Sequence, residues 1–539
     1  MSGTIRNILF PGRHHVLTEF QHSYLQGICA AEPGSIRDIN GEMLDFAAPL
    51  NLIWAITSAN HCNTRRNPIP AHRREVAIEH FTHDLDLNSF VYLINDLGTT
   101  SRFADYMLKE IEVQSEGQFV LTPENTVVAC STPSVIGLFE ERGLRILPVE
   151  LVERTNVVYR QRRPWDLVNA IVAAGDDWRD DPIYQSEVHA ASRHLLEKYH
   201  LGEGIVRLHE DSLLGDEGDI TQTRDYNTYA RAFDEGAARK YAVIRDFVVP
   251  GRIVDIGCAG GALLKLISED ERLRESDLYG IEVTRRLYEL CEYRKANGEF
   301  SNENVFFYQR NITQGKLFRD NSLNTVTTFA LTHELESYLG RAALLQFLRH
   351  VHEQLAPGGV FLNVDVVGPD DKERMIYLKL NEADGAPDDP AREFAADQRE
   401  ELRAYLESLS TYGKFLRFCR DFRPGDERIL YQPVVINGQE LIAIRMEDAC
   451  EFLSKKDYPD NWQSEMHERF CFWTFDEWRA ALEQVGFRIN RNSRAYRNEW
   501  IVENRWRGKA DLFAQVDGAL VPLEYPVTTM VLVAEKTGL

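Results

Sequence analysis

No run of about eighteen apolar residues occurs in this sequence, so no segment of it suits a membrane-spanning helix. Its start lacks the basic-then-apolar pattern of a secretory signal. Cysteine is scarce and scattered: Cys29, Cys62, Cys130, Cys258, Cys291, Cys419, Cys450 and Cys471 include no C-x-x-C pair. That excludes a disulfide framework and the usual zinc spacing, suits a reducing cytosol, and leaves no metal site expected. Positive charge is also in deficit, with 61 Lys and Arg against 84 Asp and Glu and a formal net charge of −23. Such a surface argues against life on a nucleic-acid backbone. The chain reads as soluble and cytoplasmic, with a small-molecule partner and a nucleotide as the classes left open, and with a homo-oligomer compatible with all of this.

What is present begins with length: 539 residues exceed what one core usually supports, so two or three domains are expected. The most informative stretch is Arg252 to Leu264, where an apolar strand enters the small-residue turn Gly257-Cys258-Ala259-Gly260-Gly261 and a helix follows directly. Small residues let bare backbone approach a nucleotide-like ligand, and Asp255 at the strand end can accept from it. A tight strand-to-helix turn also takes glycine for steric reasons alone. Further on, Leu278 to Glu282 reads as a second strand ending in an acid placed to accept from ribose hydroxyls. A third turn falls at Gln309 to Ile312, a fourth strand at Asn324 to Leu331, and a fifth after the Pro357-Gly358-Gly359 turn. Strands alternating with helices predict an α/β fold with a parallel, doubly wound sheet.

These residues resemble the class I S-adenosylmethionine-dependent methyltransferases over about 225–370 and 470–539. The resemblance implies a seven-stranded sheet with S-adenosyl-L-methionine held by Asp255, Gly257, Cys258, Ala259, Gly261, Glu282, Asn311, Ile312 and Ala330. Ala259 departs from the family's middle glycine, which is tolerable with a negative φ. Thr474 to Phe487 and Thr528 to Glu535 stand where the family has its last helix and its reversed final strand. The helical stretch from Arg224 to Phe233 resembles the family's aromatic lead-in, so Tyr226 and Tyr229 are expected to roof the donor or else to pack on the sheet.

The first 165 residues alternate strands and helices again, predicting a second Rossmann-like domain. They resemble the nicotinamide mononucleotide adenylyltransferases of the HIGH-motif nucleotidyltransferases. Phe10 to Gln21 stands where that family has its G-R-F-Q-P-x-H-x-G-H segment, with Gly12 and Arg13 matching, and Thr18 takes the first histidine position. Ser58-Ala59-Asn60, Asn67 and Arg74 fall in the next motifs, Ser131 and Thr132 where adenine is bound, and Arg160 in a weak closing segment. Phe20 and Gln21 replace the motif's glycine and second histidine, leaving His14, His15 or His22 as substitute donors. The resemblance implies a nucleoside triphosphate with Mg²⁺, and the departures leave open a domain that binds a nucleotide without turning it over. The cluster Arg65, Arg66, Arg73 and Arg74 also reads as a solvated face.

The expected organisation is therefore a nucleotidyltransferase-like domain over 1–165, a helical connector and linker over 166–224, and a methyltransferase domain over 225–539. An insertion at 370–470 reads as a lid, as decoration or as a dimer surface. After the fourth strand, Thr332-His333-Glu334 faces the donor methyl in the family. His333 is the candidate general base, Glu334 its orienter or a contact to the donor's amino group, and an ordinary helix-start role for His333 is the alternative. Two clusters, Asp457 to Glu468 and Arg494 to Arg507, suit either an acceptor wall or an internal seam. Three functions follow: a methyltransferase fused to a nucleotidyltransferase-like domain acting on the same metabolite, a methyltransferase with a nucleotide-sensing domain, or a non-enzymatic interaction protein.

Overall fold

The computed structural model describes residues 4–32, 34–98, 100–211, 215–218, 226–395, 398–423 and 428–538, and they form two compact units, 1–218 and 219–539. In the first unit β1 (Ile5–Gly12), β2 (Phe46–Ile56), β3 (Asn88–Leu93), β4 (Thr126–Ala129) and β5 (Arg145–Leu147) make an all-parallel sheet in the order 3-2-1-4-5. Its central strands are apolar along their length because both faces are covered. Trp54, Phe81 and Leu25 fill one side, and Leu9, Met107 and Phe139 the other. A ribbon of β6 (Leu151–Glu153) and β7 (Val158–Tyr159) follows.

The helices between 164 and 210 belong to this unit, where the sequence suggested a connector. Leu167, Val168, Trp178 and Tyr184 pack in one cluster with Val16 and Ile69. Their apolar spacing was visible, but the surface they cover is assembled from residues about a hundred positions earlier.

The second unit opens with the helix Tyr226–Ile244. The strands β8 (Arg252–Ile256), β9 (Asp277–Glu282), β10 (Val305–Gln309), β11 (Leu323–Phe329) and β12 (Leu355–Val366) then run parallel in the order β10-β9-β8-β11-β12. Eight more strands follow: β13 (Met375–Leu380), β14 (Tyr431–Ile436), β15 (Gln439–Arg445), β16 (Phe487–Ile489), β17 (Arg494–Tyr496), β18 (Ala510–Val516), β19 (Ala519–Pro522) and β20 (Thr529–Lys536). The last of them runs antiparallel beside β12, and both β16 and β17 pair with it, so this sheet has eight strands where seven were expected.

The insertion forms its own antiparallel sheet, β14-β15-β13-β18-β19, around Phe415, Phe418, Phe452, Trp462 and Trp506. It does not end at 470. Strand β13 pairs with β15 on one side and β18 on the other, so residues 510–522 complete the layer that would otherwise leave β13 an open edge.

In both of these sheets the order of the parallel strands reverses beside the first strand, at β1/β4 and at β8/β11. Loops diverge at such points and leave a crevice at the strands' C-terminal ends. Among the described residues, no helix is long and apolar enough to cross a membrane.

Candidate functional site

The turn after β8 is fixed before any ligand arrives. Gly257 and Gly261 sit at φ 70° and 78°, a left-handed backbone that favours glycine. Ala259 is at φ 48°, contrary to the negative value expected for an alanine there; its small side chain packs against Ala230 and Leu287. The Gly257 and Cys258 amides donate to the Ile281 carbonyl at 2.8 and 3.1 Å. Glu282 accepts from the Ala259 amide at 3.0 Å and from the Thr284 amide at 2.9 Å. Arg294 donates to the Gly260 carbonyl at 2.7 Å and pairs with Asp234 on the Tyr226–Ile244 helix. The turn is thus tied to the next strand and to the preceding helix.

Three charged groups stand out. Burial pushes Asp255 up to about 7, against a 2.7 Å hydrogen bond from the Thr327 hydroxyl and the nearby Lys240 charge. Burial likewise lifts Glu282 to about 7, opposed by its two backbone donors, while Glu334 adds like charge. Lys240 is lowered to about 8 by burial, opposed by Asp255 and Asp365, and its Nζ lies 3.4 Å from the Phe233 ring centroid. Sequence reading missed Lys240 and Thr327. The first lies beyond the aromatic lead-in, and the second reads as strand interior although the register sets it beside Asp255.

Of the other expected donor contacts, Tyr226 and Tyr229 are on the first helix of this unit, but their side chains fall outside the described residues. Asn311 caps a short helical turn, its Oδ1 accepting from the Thr313 amide at 2.9 Å and hydroxyl at 2.7 Å. Beside it Ile312 packs partly buried against the core. Ala330, at φ 50°, turns the chain out of β11 while its amide donates to Val364 at 2.9 Å.

His333 starts the helix Thr332–Leu339 and is buried. Its Nδ1 lies 2.6 Å from Asp365 Oδ1 and its Nε2 3.4 Å from Glu468 Oε2. The Thr332 hydroxyl and the His333 amide both donate to Asp365 Oδ2, at 2.5 and 3.1 Å. Burial opposes charge on the ring, but the two carboxylates outweigh it and hold the imidazole well above its ordinary value. A ring that keeps its proton in this way does not fit the expected neutral general base. Glu468 comes from the polar cluster singled out before the last helix, and Tyr338 donates to its Oε1 at 3.2 Å. Asp365 was missed because it ends a strand that otherwise reads as core.

The 468–471 segment is held from behind. Glu451, on the helix Met446–Lys455, accepts from the Phe470 and Cys471 amides at 2.8 and 2.7 Å. Lys455 pairs with Glu451 and donates to the Glu468 carbonyl at 2.6 Å. The second sequence cluster is not an acceptor wall throughout: Trp506 is core, its indole donating to Leu453 at 2.9 Å.

In the first unit Gly12 ends β1, and Arg13, Ser58 and Ser131 lie just after the ends of β1, β2 and β4. Several residues expected to bind nucleotide have structural tasks instead. Thr18 and Gln21 close a helix capping box, with Gln21 Nε2 on Glu150 at 2.9 Å. His22 pairs with Asp84 at 2.9 Å and stacks on His189. Arg74 is buried, donating to the carbonyls of Arg13, Thr57 and Ser58 at 2.9, 2.9 and 3.0 Å. Burial lowers it to about 10. Ser58 donates to Asp96 at 3.1 Å, and Ser131 accepts from the Glu150 amide at 2.7 Å. Asn67 turns with Thr64, Thr132 precedes the helix Pro133–Glu140 exposed, and Arg160 reaches Pro148 at 3.4 Å. Burial holds His14 at about 4, and burial together with Arg74 holds His15 well below its ordinary value, so neither carries charge near neutrality. The basic loop is not simply solvated: Arg65 donates to the Leu208 carbonyl at 3.1 Å and Arg66 pairs with Glu217 at 2.6 Å.

Residues 250–409 match the family model described as a methyltransferase domain. A solved SAM-dependent methyltransferase from Methanosarcina mazei is 16% identical, covering 55% of this chain and 98% of its own, with a TM-score of 0.28. A solved S-adenosylmethionine dependent methyltransferase from Mesorhizobium loti is 14% identical, covering 56% and 99%, with a TM-score of 0.30. No curated protein matches the chain.

Proposed function

We propose that the second unit binds S-adenosylmethionine in the β8/β11 crevice and transfers its methyl group to a small acceptor. The observation that carries this is the pre-tied turn at 257–261 flanked by two buried carboxylates, Asp255 and Glu282, and the methyltransferase-domain match over 250–409 supports it. The residues fit such a donor. Glu282 has lone pairs left for ribose hydroxyls after accepting two amides, and Asp255 and Lys240 offer opposite charges for the ammonium and carboxylate of the methionine end. When bound, the sulfonium supplies an electrophilic methyl group. The chain's own part is to orient it and exclude water, and placement supplies most of the rate in such a displacement.

This reading predicts a bell-shaped pH dependence of donor affinity. Hydroxyl and ammonium donors need Asp255 and Glu282 ionised, whereas in the free protein both are half-protonated near 7. Affinity therefore rises between about pH 6 and 7.5, by up to roughly tenfold per unit for each linked proton, and declines above about 8 as Lys240 loses its charge. Calorimetric titration across this range checks it, and a flat profile contradicts the assigned contacts.

We further propose that the first unit binds a nucleotide without turning it over. The commitment of Thr18, Gln21, His22 and Arg74 to structural contacts favours this over transfer. Titration with ATP should show binding with no pyrophosphate release on adding nicotinamide mononucleotide; release would restore the transferase reading.

A further inference from the structure

We propose that His333, Glu334 and Glu468 form a divalent-cation site beside the donor crevice, with coordination positions left open for an oxygen of the acceptor. One ligand atom from each of the three lies within 4.8 Å of the other two. Ligands about 2.0–2.2 Å from a shared ion stand a little over 3 to about 4 Å apart, so a small closure completes the set. Three further observations bear on it.

The first is orientation. Asp365 holds His333 Nδ1 at 2.6 Å, which turns Nε2 towards Glu468. A carboxylate behind the ring is the usual outer partner of a metal-bound histidine. Thr332 in turn fixes Asp365, so the ring has little freedom.

The second is charge in a dry place. His333 and Glu468 are only 5% and 1% exposed, and Asp365 is 3% exposed. Carboxylates removed from water need compensating charge, and two of them, Asp365 and Glu468, converge on one imidazole. The protonated ring supplies one positive charge, and a divalent ion that displaces the Nε2 proton to solvent supplies two in its place.

The third is construction. The ligands come from two separate segments, the helix Thr332–Leu339 and the irregular run at 468–471. The latter is clamped by the buried Glu451–Lys455 pair through the Phe470 and Cys471 amides and the Glu468 carbonyl. This fixes Glu468 independently of His333.

One imidazole nitrogen with two carboxylates suits Mn²⁺, Zn²⁺ or Fe²⁺ and does not suit monovalent copper. An ion there would hold an acceptor hydroxyl or carboxylate oxygen and lower the hydroxyl's pKa. That role rests on the proposed donor crevice; the ion site itself does not.

The test is calorimetric titration of the chelator-treated full chain with MnCl₂ alone, followed by Glu468→Gln, His333→Gln and Asp365→Asn. We expect about one ion per chain, a loss of roughly 30-fold or more in affinity for the two ligand variants, and about tenfold for Asp365→Asn. Donor titration of Glu468→Gln, with affinity within about threefold of the parent, shows that the crevice is intact. Absence of Mn²⁺ binding, or unchanged binding in both ligand variants, overturns the site whatever the donor does. Mn²⁺ binding without donor binding leaves the site standing and sinks the methyltransferase reading. Should the variants unfold, pulsed electron paramagnetic resonance of the parent decides: coupling to one imidazole nitrogen supports the site, and none overturns it.

Discussion

Asp255→Asn and Glu282→Gln each weaken S-adenosylmethionine binding by about 30-fold or more, and the double variant shows no measurable binding. The size follows from hydrogen bonds to charged groups, worth about 1.5–3 kcal/mol each, with about 1.4 kcal/mol per decade of affinity. Asparagine at 255 keeps the volume and can still accept from Thr327, but loses the charge opposite the ligand's ammonium. Glutamine at 282 has one oxygen where two amides, Ala259 and Thr284, now find two. One amide then faces an NH₂ group, which costs about 1–3 kcal/mol of stability and loosens the turn. Calorimetry of each variant with thermal melting alongside checks both parts. Unchanged donor affinity in a folded Asp255→Asn chain contradicts the placement of the donor.

Glu451→Ala is the substitution with the largest expected effect on stability. Lys455 is fully buried, and its ammonium is held by Glu451 and the Glu468 carbonyl. Removing the carboxylate leaves an uncompensated buried cation and orphans the Phe470 and Cys471 amides, which together cost about 3–5 kcal/mol. Glu451→Met with Lys455→Met replaces the pair by apolar groups of similar length and recovers the part of that loss due to the buried cation, leaving the part due to the two amides. Urea unfolding of the second unit reports the change through a lower midpoint. A loss below about 1 kcal/mol for Glu451→Ala contradicts the view that this pair anchors the 468–471 segment.

How much of this was legible depends on how local the signal is. The strand-turn-helix at 252–264 and the acid at 282 are written in contiguous residues, and the structure sets them at the ends of the paired strands β8 and β9. The five parallel strands around them follow from apolar runs alternating with helices. The second sheet could not be read in the same way. Its β18 comes 130 residues after β13, and nothing in the local sequence of 510–516 says which strand it joins. Asp365 was hidden for a related reason: it follows Val360 to Val364, and only folding sets it against His333. Glu468 stood in a dense polar run, which marked the region but not the partner. In the first unit the motif positions were visible, yet spacing could not show that Arg74 is a backbone clamp and Thr18 a helix cap, since those tasks depend on carbonyls and amides that the fold supplies.

A donor site at the β8/β11 switch is tested most directly by calorimetric titration of the full chain with S-adenosylmethionine and S-adenosylhomocysteine. We expect saturable binding of each ligand at about one per chain with micromolar affinity, mutual competition between the two, and loss in Asp255→Asn. No heat from either ligand in a folded chain, or equal binding in Asp255→Asn, would contradict it.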